Sequence, residues 1–214
     1  MKIFENTQKV LVLAPHPDDA EFGLGGTISK MIEKKIEVFI IVFSNCEKST
    51  PKAFEIGSIE KEMYKSLDHL KVPKENLFVL DFSVREFSSK RQEILEDIII
   101  YRNKINPDMV FIPCSSDIHQ DHKVIHEEGK RAFKFNNLLG YEMPWNNFGF
   151  TSFVYNPLNK DHLKNKLKAI SYYNSQKSRP YSKREFITAL AILRGGQICK
   201  EYAESFELIR LIAE

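Results

Sequence analysis

VLVLAPHPDDAEFGLGG, residues 10–26, begins as a nearly continuous apolar run and then turns abruptly into an acidic, glycine-containing loop. A run so short and so uniformly apolar suits a strand covered on both faces, as in a parallel sheet. Three later stretches repeat it: VFIIVF at 38–43, LFVLDF at 77–82 and MVFIP at 109–113. Charged segments with helical spacing separate them, at about 25–34, 56–70 and 88–104. In the last of these Ile94, Leu95, Ile98, Ile99 and Tyr101 supply the apolar face, and Asn106-Pro107 stops the helix before the next strand. Four alternations of strand and helix read as right-handed βαβ units and predict an α/β sandwich with a mainly parallel sheet.

Further along, a fourth helix is expected at about 122–135, two more strands at 138–143 and 152–155, and two helices near 162–173 and 185–193. No repeat, low-complexity tract or linker interrupts the pattern, so residues 1–214 are read as one domain, and 43% hydrophobic residues are enough to give that length its own core. Lys plus Arg number 31 against 29 Asp plus Glu, with no long block of one sign, which argues against a nucleic-acid partner. Cys46, Cys114 and Cys199 are too scattered for a disulfide framework or a CxxC metal knuckle. The longest apolar stretch, residues 38–43, is far short of the ~20 residues that a membrane span needs, and the N-terminal residues show no signal-like apolar region. A soluble, cytoplasmic chain without a membrane anchor is expected, with self-association into a homo-oligomer left open.

Loops at the carboxyl ends of parallel strands form the ligand crevice of a doubly wound sheet, so PHPDD delivers His16, Asp18 and Asp19 to the working edge. A second polar cluster, SSDIHQDHKVIH at 115–126, follows the fourth strand, which in a Rossmann-type order neighbours the first. Two loops far apart in sequence should therefore meet. Together they offer His16, Asp19 and His122 to one ion, a set of two nitrogens and one oxygen that suits Zn2+ and leaves a fourth position for water. Iron or cobalt would be accepted by the same ligands. Side chains adjacent in extended backbone diverge, which leaves Asp18 to act as base on that water, whose pKa zinc lowers to roughly 7 in favourable sites. His119 can face the substrate, where in its protonated form it would stabilise an oxyanion or protonate the departing amine. Asp121 can orient one of the two imidazoles, His119 or His122.

Each residue also has a plainer reading. Asp19 can simply start a helix, Asp121 can be an N-cap, and a single loop histidine such as His16 is commonly an ordinary polar group. The joint occurrence of HPDD after one strand and HxDH after another outweighs them. His122 and His126 are not read as a zincin pair, because HKVIH has Lys123 in place of the glutamate of HExxH. Gly23, Gly25 and Gly26 miss the GxGxxG pattern at Ile28 and are read as admitting a tight turn behind the metal. Glu47 after the second strand and Arg85 after the third stand on the same edge as candidate substrate contacts. Trp145 and Phe148 are candidates for an aromatic wall against a sugar ring.

APHPDDAEFGLGGTI at 14–28, PCSSDIHQDH at 113–122 and RGGQICKEYAESF at 194–206 resemble the PIG-L/LmbE family of zinc-dependent N-acetylglucosaminyl deacetylases. The resemblance covers most of the chain, and its first two motifs together are highly specific. It implies a Rossmann-like three-layer sandwich with zinc on His16, Asp19 and His122. It further implies Asp18 as general base, His119 as acid or oxyanion stabiliser and Asp121 tuning His119. The implied substrate is a small N-acetylated amino sugar or glycoconjugate. Two departures stand out: SNCE at 44–47, where many relatives have TxGE, and GSIEKE, where many begin the second helix with a substrate-binding arginine, which leaves Arg85 as the candidate replacement. A metal-dependent amidase for a nonsugar amide and a noncatalytic glycan-binding domain are the rival readings.

Overall fold

The structure is a computed structural model that describes Phe4 and residues 6–212. Strands β1 (Lys9–Ala14), β2 (Glu37–Val42), β3 (Leu77–Val79) and β4 (Met109–Pro113) alternate with helices α1 (Asp19–Glu33), α2 (Ser58–His69) and α3 (Arg91–Ile105). They are followed by α4 (Gln120–Ala132), β5 (Asn137–Tyr141), β6 (Val154–Leu158), α5 (Lys160–Ile170), α6 (Arg184–Gly196) and β7 (Tyr202–Arg210). The strands form one seven-stranded sheet in the order β3-β2-β1-β4-β5-β7-β6. It is parallel from β3 to β5, and β7 runs antiparallel to both its neighbours. The α/β layering with a mainly parallel sheet is thus the one the alternation predicts.

Beyond their charged first residues, Lys9 and Glu37, β1 and β2 are apolar because each face meets a layer of helices. Val10, Val12 and Ala14 pack with residues of α1, α2 and α5, whereas Leu11 and Leu13 pack with residues of α3 and α4. Each fully buried side chain of this kind contributes roughly 1.5–3 kcal/mol relative to exposure. Among the described residues no helix is long and apolar enough to cross a membrane.

Helix α1 begins at Asp19 rather than near residue 25, because it is broken: Leu24 has φ −149° and ψ 26°, outside the helical region. The break strands backbone groups that a continuous helix would pair, and a buried ion pair takes them up. Lys166 Nζ donates to the Phe22 carbonyl at 2.7 Å, while Glu204 accepts the N–H groups of Gly26 at 3.0 Å and Thr27 at 2.6 Å. Lys166 and Glu204 are themselves joined at 2.6 Å. Helical spacing therefore emerges in the sequence only after the glycines. Gly23 is obligatory for packing rather than turning, since a Cβ there would lie 2.6 Å from the Tyr141 ring.

Two strand expectations need correction. β6 extends to Leu158 instead of ending at residue 155, despite Pro157, because it lies at the sheet edge where a missing N–H is tolerated. β7 has no counterpart among the strands that the sequence predicts. Its charged residues, Glu204, Glu207 and Arg210, disguise an alternating pattern, and Glu204 points inward to the break in α1.

Candidate functional site

β1 and β4 pair side by side, with Val10 opposite Met109 and Val12 opposite Phe111, so the loops that leave their carboxyl ends converge. On the β1 side, Asp18 occupies the N-cap position of α1 without making a side-chain capping bond, and Asp19 is the first helical residue. On the β4 side, His119 is the N-cap of α4, its Nδ1 accepting the Asp121 N–H at 3.2 Å. This cap turns Asp121 and His122 back toward the first loop.

Three donor atoms form a nearly equilateral triangle. His16 Nδ1 lies 3.2 Å from His122 Nε2, and Asp19 Oδ2 lies 3.3 Å from each of them. Ligands about 2.0–2.1 Å from a tetrahedral zinc stand about 3.3–3.4 Å apart, so the donor set fits such an ion without rearrangement. His119 belongs to a looser set, in which nitrogens of His16, His119 and His122 lie within 4.8 Å of one another.

The other nitrogen of each paired histidine faces a carboxylate. His122 Nδ1 meets Asp117 Oδ2 at 2.7 Å, and His16 Nε2 meets Asp121 Oδ2 at 3.2 Å. Such backing fixes the tautomer and ring orientation of a metal-binding imidazole. The carboxylate of Asp121 thus engages His16 and the Arg85 N–H, at 2.7 Å, and its link to His119 runs through its backbone N–H alone. The proximity of Asp121 to His119 in sequence suggests a side-chain pairing, but the first turn of α4 directs the carboxylate the other way.

The electrostatics favour positive charge at the triangle. Burial opposes ionisation of both partners, yet Asp19 is held well below the usual carboxylate range by His122 and His16, and His122 is driven up to about 10 by Asp19 and Asp117. Burial, then the adjacent Asp19, pushes the Asp18 carboxyl up to about 6. His119 moves the other way, to about 4, through burial and repulsion from His122 and His16. Its imidazole is therefore neutral near pH 7, and because Nδ1 already accepts a hydrogen bond, the proton resides on Nε2.

A cavity of about 380 Å³ opens over these groups, and Asp18, His119, Arg85 and Trp145 all line it. Trp145 stacks on Tyr181 with centroids 3.9 Å apart and planes at 11°, and Phe22 stands edge-on to both. Arg85 adopts φ 68°, a costly conformation for a non-glycine residue, held by its N–H to Asp121 and its carbonyl to Gln120 Nε2. Glu47 is exposed and does not line the cavity, because left-handed Cys46 turns the chain outward there, leaving Cys46 and Ser49 as lining residues. Phe148 is 94% exposed and also stands apart from it. His126 hydrogen-bonds the Pro113 carbonyl at 2.8 Å and takes no part in the triangle.

Three contributors, Asp117, Arg179 and Tyr181, carry no distinguishing signal in the sequence. Asp117 lies within the SSDIHQDH cluster, so the signal was present but carried no distinguishing feature. Arg179 and Tyr181, in the connection between α5 and α6, also line the cavity and have no local motif to mark them.

The profile of the family described as PIG-L: GlcNAc-PI de-N-acetylase matches residues 11–133. The chain is 31% identical over 147 residues to the diacetylchitobiose deacetylase of Thermococcus kodakarensis, an alignment covering 64% of this chain and 54% of that protein. It thus spans about half the length of that relative. The solved N,N'-diacetylchitobiose deacetylase of Pyrococcus horikoshii is similar with a TM-score of 0.83 at 24% identity, over 98% of this chain and 86% of that one. GalB, the 4-carboxy-2-hydroxymuconate hydratase of Pseudomonas putida KT2440, is similar with a TM-score of 0.81 at 15% identity, over 97% and 98% respectively. The fold therefore hosts more than one chemistry, and the site has to carry the functional argument.

Proposed function

The chain belongs to the PIG-L family, and from that premise we propose that it is a metal-dependent hydrolase that removes the N-acetyl group from an N-acetylated amino sugar or glycoconjugate. One domain, residues 1–214, carries the reaction, in the reducing cytoplasm that its free cysteines suit. The observation that carries this reading is the triangle of His16 Nδ1, Asp19 Oδ2 and His122 Nε2 with sides of 3.2, 3.3 and 3.3 Å beside Asp18. The named activity of the Thermococcus relative supports an amino-sugar substrate.

A divalent ion such as Zn2+ on His16, Asp19 and His122 would supply Lewis acidity, polarising a carbonyl and lowering the pKa of water. Asp18, with its carboxyl near pKa 6, is the base that takes a proton from the attacking water and passes it to the leaving nitrogen. Neutral His119 donates its Nε2–H to the carbonyl oxygen as negative charge develops there. Asp121 orients His16 and, through the Arg85 N–H, holds Arg85 at the cavity wall. Arg85 binds substrate hydroxyls or an acidic substituent, and the Trp145–Tyr181 stack covers the apolar face of the sugar ring. Glu47 would be reached only by a glycoconjugate long enough to leave the cavity.

The test is acetate release from a panel of N-acetyl amino sugars, their conjugates and simple amides, with and without chelator. Release confined to amino sugars, lost with chelator and restored by Zn2+, is expected. Release from nonsugar amides alone would move the assignment to an amidase, and no release by metal-loaded protein from any acetamide would remove the hydrolase assignment.

A further inference from the structure

We propose that Asp117 is a positioning residue that ties the metal ligand His122 to the substrate wall formed around Trp145. The inference rests on the metal-site reading above, since it takes His122 as a ligand.

Asp117 is 1% exposed, and its only ion-pair partner among the described residues is His122. A buried carboxylate is costly unless positive charge lies close by, and here it is approached through the imidazole ring. With Nδ1 turned to Asp117 at 2.7 Å, His122 presents Nε2 to Asp19 and His16. The same carboxylate accepts the His119 N–H at 2.8 Å, so it holds both histidines of the α4 entrance.

The Asp117 backbone N–H donates to the Cys114 carbonyl at 3.3 Å, and further contacts of Asp117 and its neighbour Ile118 lead to one segment. Asn146 Nδ2 approaches Asp117 Oδ2 at 3.4 Å, the Ile118 N–H donates to the Asn146 carbonyl at 3.0 Å, and Asp117 forms an isolated antiparallel bridge with Asn147. Asn147 Nδ2 in turn donates to Ser116 Oγ at 2.6 Å. Trp145 and Asn146 line the same cavity as His16, Asp19 and His122. One buried carboxylate is thus shared between an imidazole that would carry the ion and the loop that would carry the sugar. Occupancy of the triangle, by fixing His122, also fixes the wall.

The experiment uses the whole chain, with Zn2+ titrated against a chromophoric chelator while the fluorescence of Trp145, the sole tryptophan, is followed. Asp117→Asn preserves shape, and its thermal melt without metal checks the fold. The expected result is zinc affinity lower by about 10- to 100-fold, the range seen when partners of metal-binding histidines are replaced. A zinc-dependent change in Trp145 emission, present in the wild type, should be blunted in the variant even at saturating Zn2+. Asp117→Glu, which keeps the charge but displaces it, carries the same expectation and serves if Asp117→Asn does not fold. Wild-type zinc affinity in a folded variant overturns the proposal, and weakened affinity with an intact emission change overturns the tie to the wall. If His122→Ala binds zinc as well as the wild type does, the metal-site reading itself has failed, a result distinguishable from either.

Discussion

The phenol oxygen of Tyr173 stands 2.5 Å from the Pro17 carbonyl oxygen and 2.7 Å from Glu21 Oε1, joining the segment after α5 to the loop that presents His16 and Asp18. Tyr173 and Glu21 are both fully buried, so these contacts are made away from water. Tyr173→Phe removes the only hydroxyl that reaches the Pro17 carbonyl among the described hydrogen bonds. A loss of about 1–3 kcal/mol in unfolding free energy is expected, the usual cost of stranding a buried polar group, and urea titration measures it. Because Pro17 precedes Asp18, turnover should fall as well. An unchanged unfolding midpoint would show that the contact carries no weight.

A phenol has one proton, so when it donates to Pro17 the second short contact needs a proton on Glu21. Burial pushes the Glu21 carboxyl up from its ordinary 4.5 to about 8, which supplies that proton at neutral pH. Between these two values the folded chain holds a proton that the unfolded chain has released, so stability declines as pH rises through this window and levels off above it. Glu21→Gln, which keeps a donor at this position, should flatten that part of the stability profile. An identical profile in wild type and variant would contradict the assignment.

Asp18→Asn should lower kcat by about 10²–10⁴, the usual contribution of a general base, while zinc content stays at the wild-type level. Metal analysis beside acetate release separates the two effects. Retention of full turnover would take Asp18 out of the chemistry.

Lys166→Met should be among the most destabilising single substitutions, at about 3–5 kcal/mol, because Glu204 is left charged and buried and the Phe22 carbonyl loses its donor. Calorimetry checks the loss. The double variant Lys166→Met with Glu204→Gln should recover part of it by removing the uncompensated charge, and no recovery would argue that packing rather than charge sets the cost.

Much of the fold was legible because parallel strands buried on both faces must be apolar from end to end, as VLVLA and VFIIVF are. Where a strand carries charge for a tertiary reason, as β7 does with Glu204, periodicity gives no such signal. The break at Leu24 hid the start of α1 in the same way, since its compensation comes from residues more than a hundred positions away. In the site, the meeting of the two loops follows from strand order. Which carboxylate backs which imidazole does not, because it depends on the turn of α4 and on rotamers that no local spacing encodes. Tyr181 enters through its stack on Trp145 and its edge contact with Phe22, neither of which has a counterpart in sequence.

The insertion of β7 between β5 and β6 has a consequence for biosynthesis. A nascent chain has delivered His16, Asp18, Asp19, His119 and His122 to the ribosome exit long before Tyr202 is translated. Until Glu204 arrives, however, the helix that begins at Asp19 lacks the acceptor for its interrupted turn, and Lys166 lacks its counter-charge. Fragments ending before Tyr202 would therefore hold all five of these residues without the acceptor that closes the break in α1.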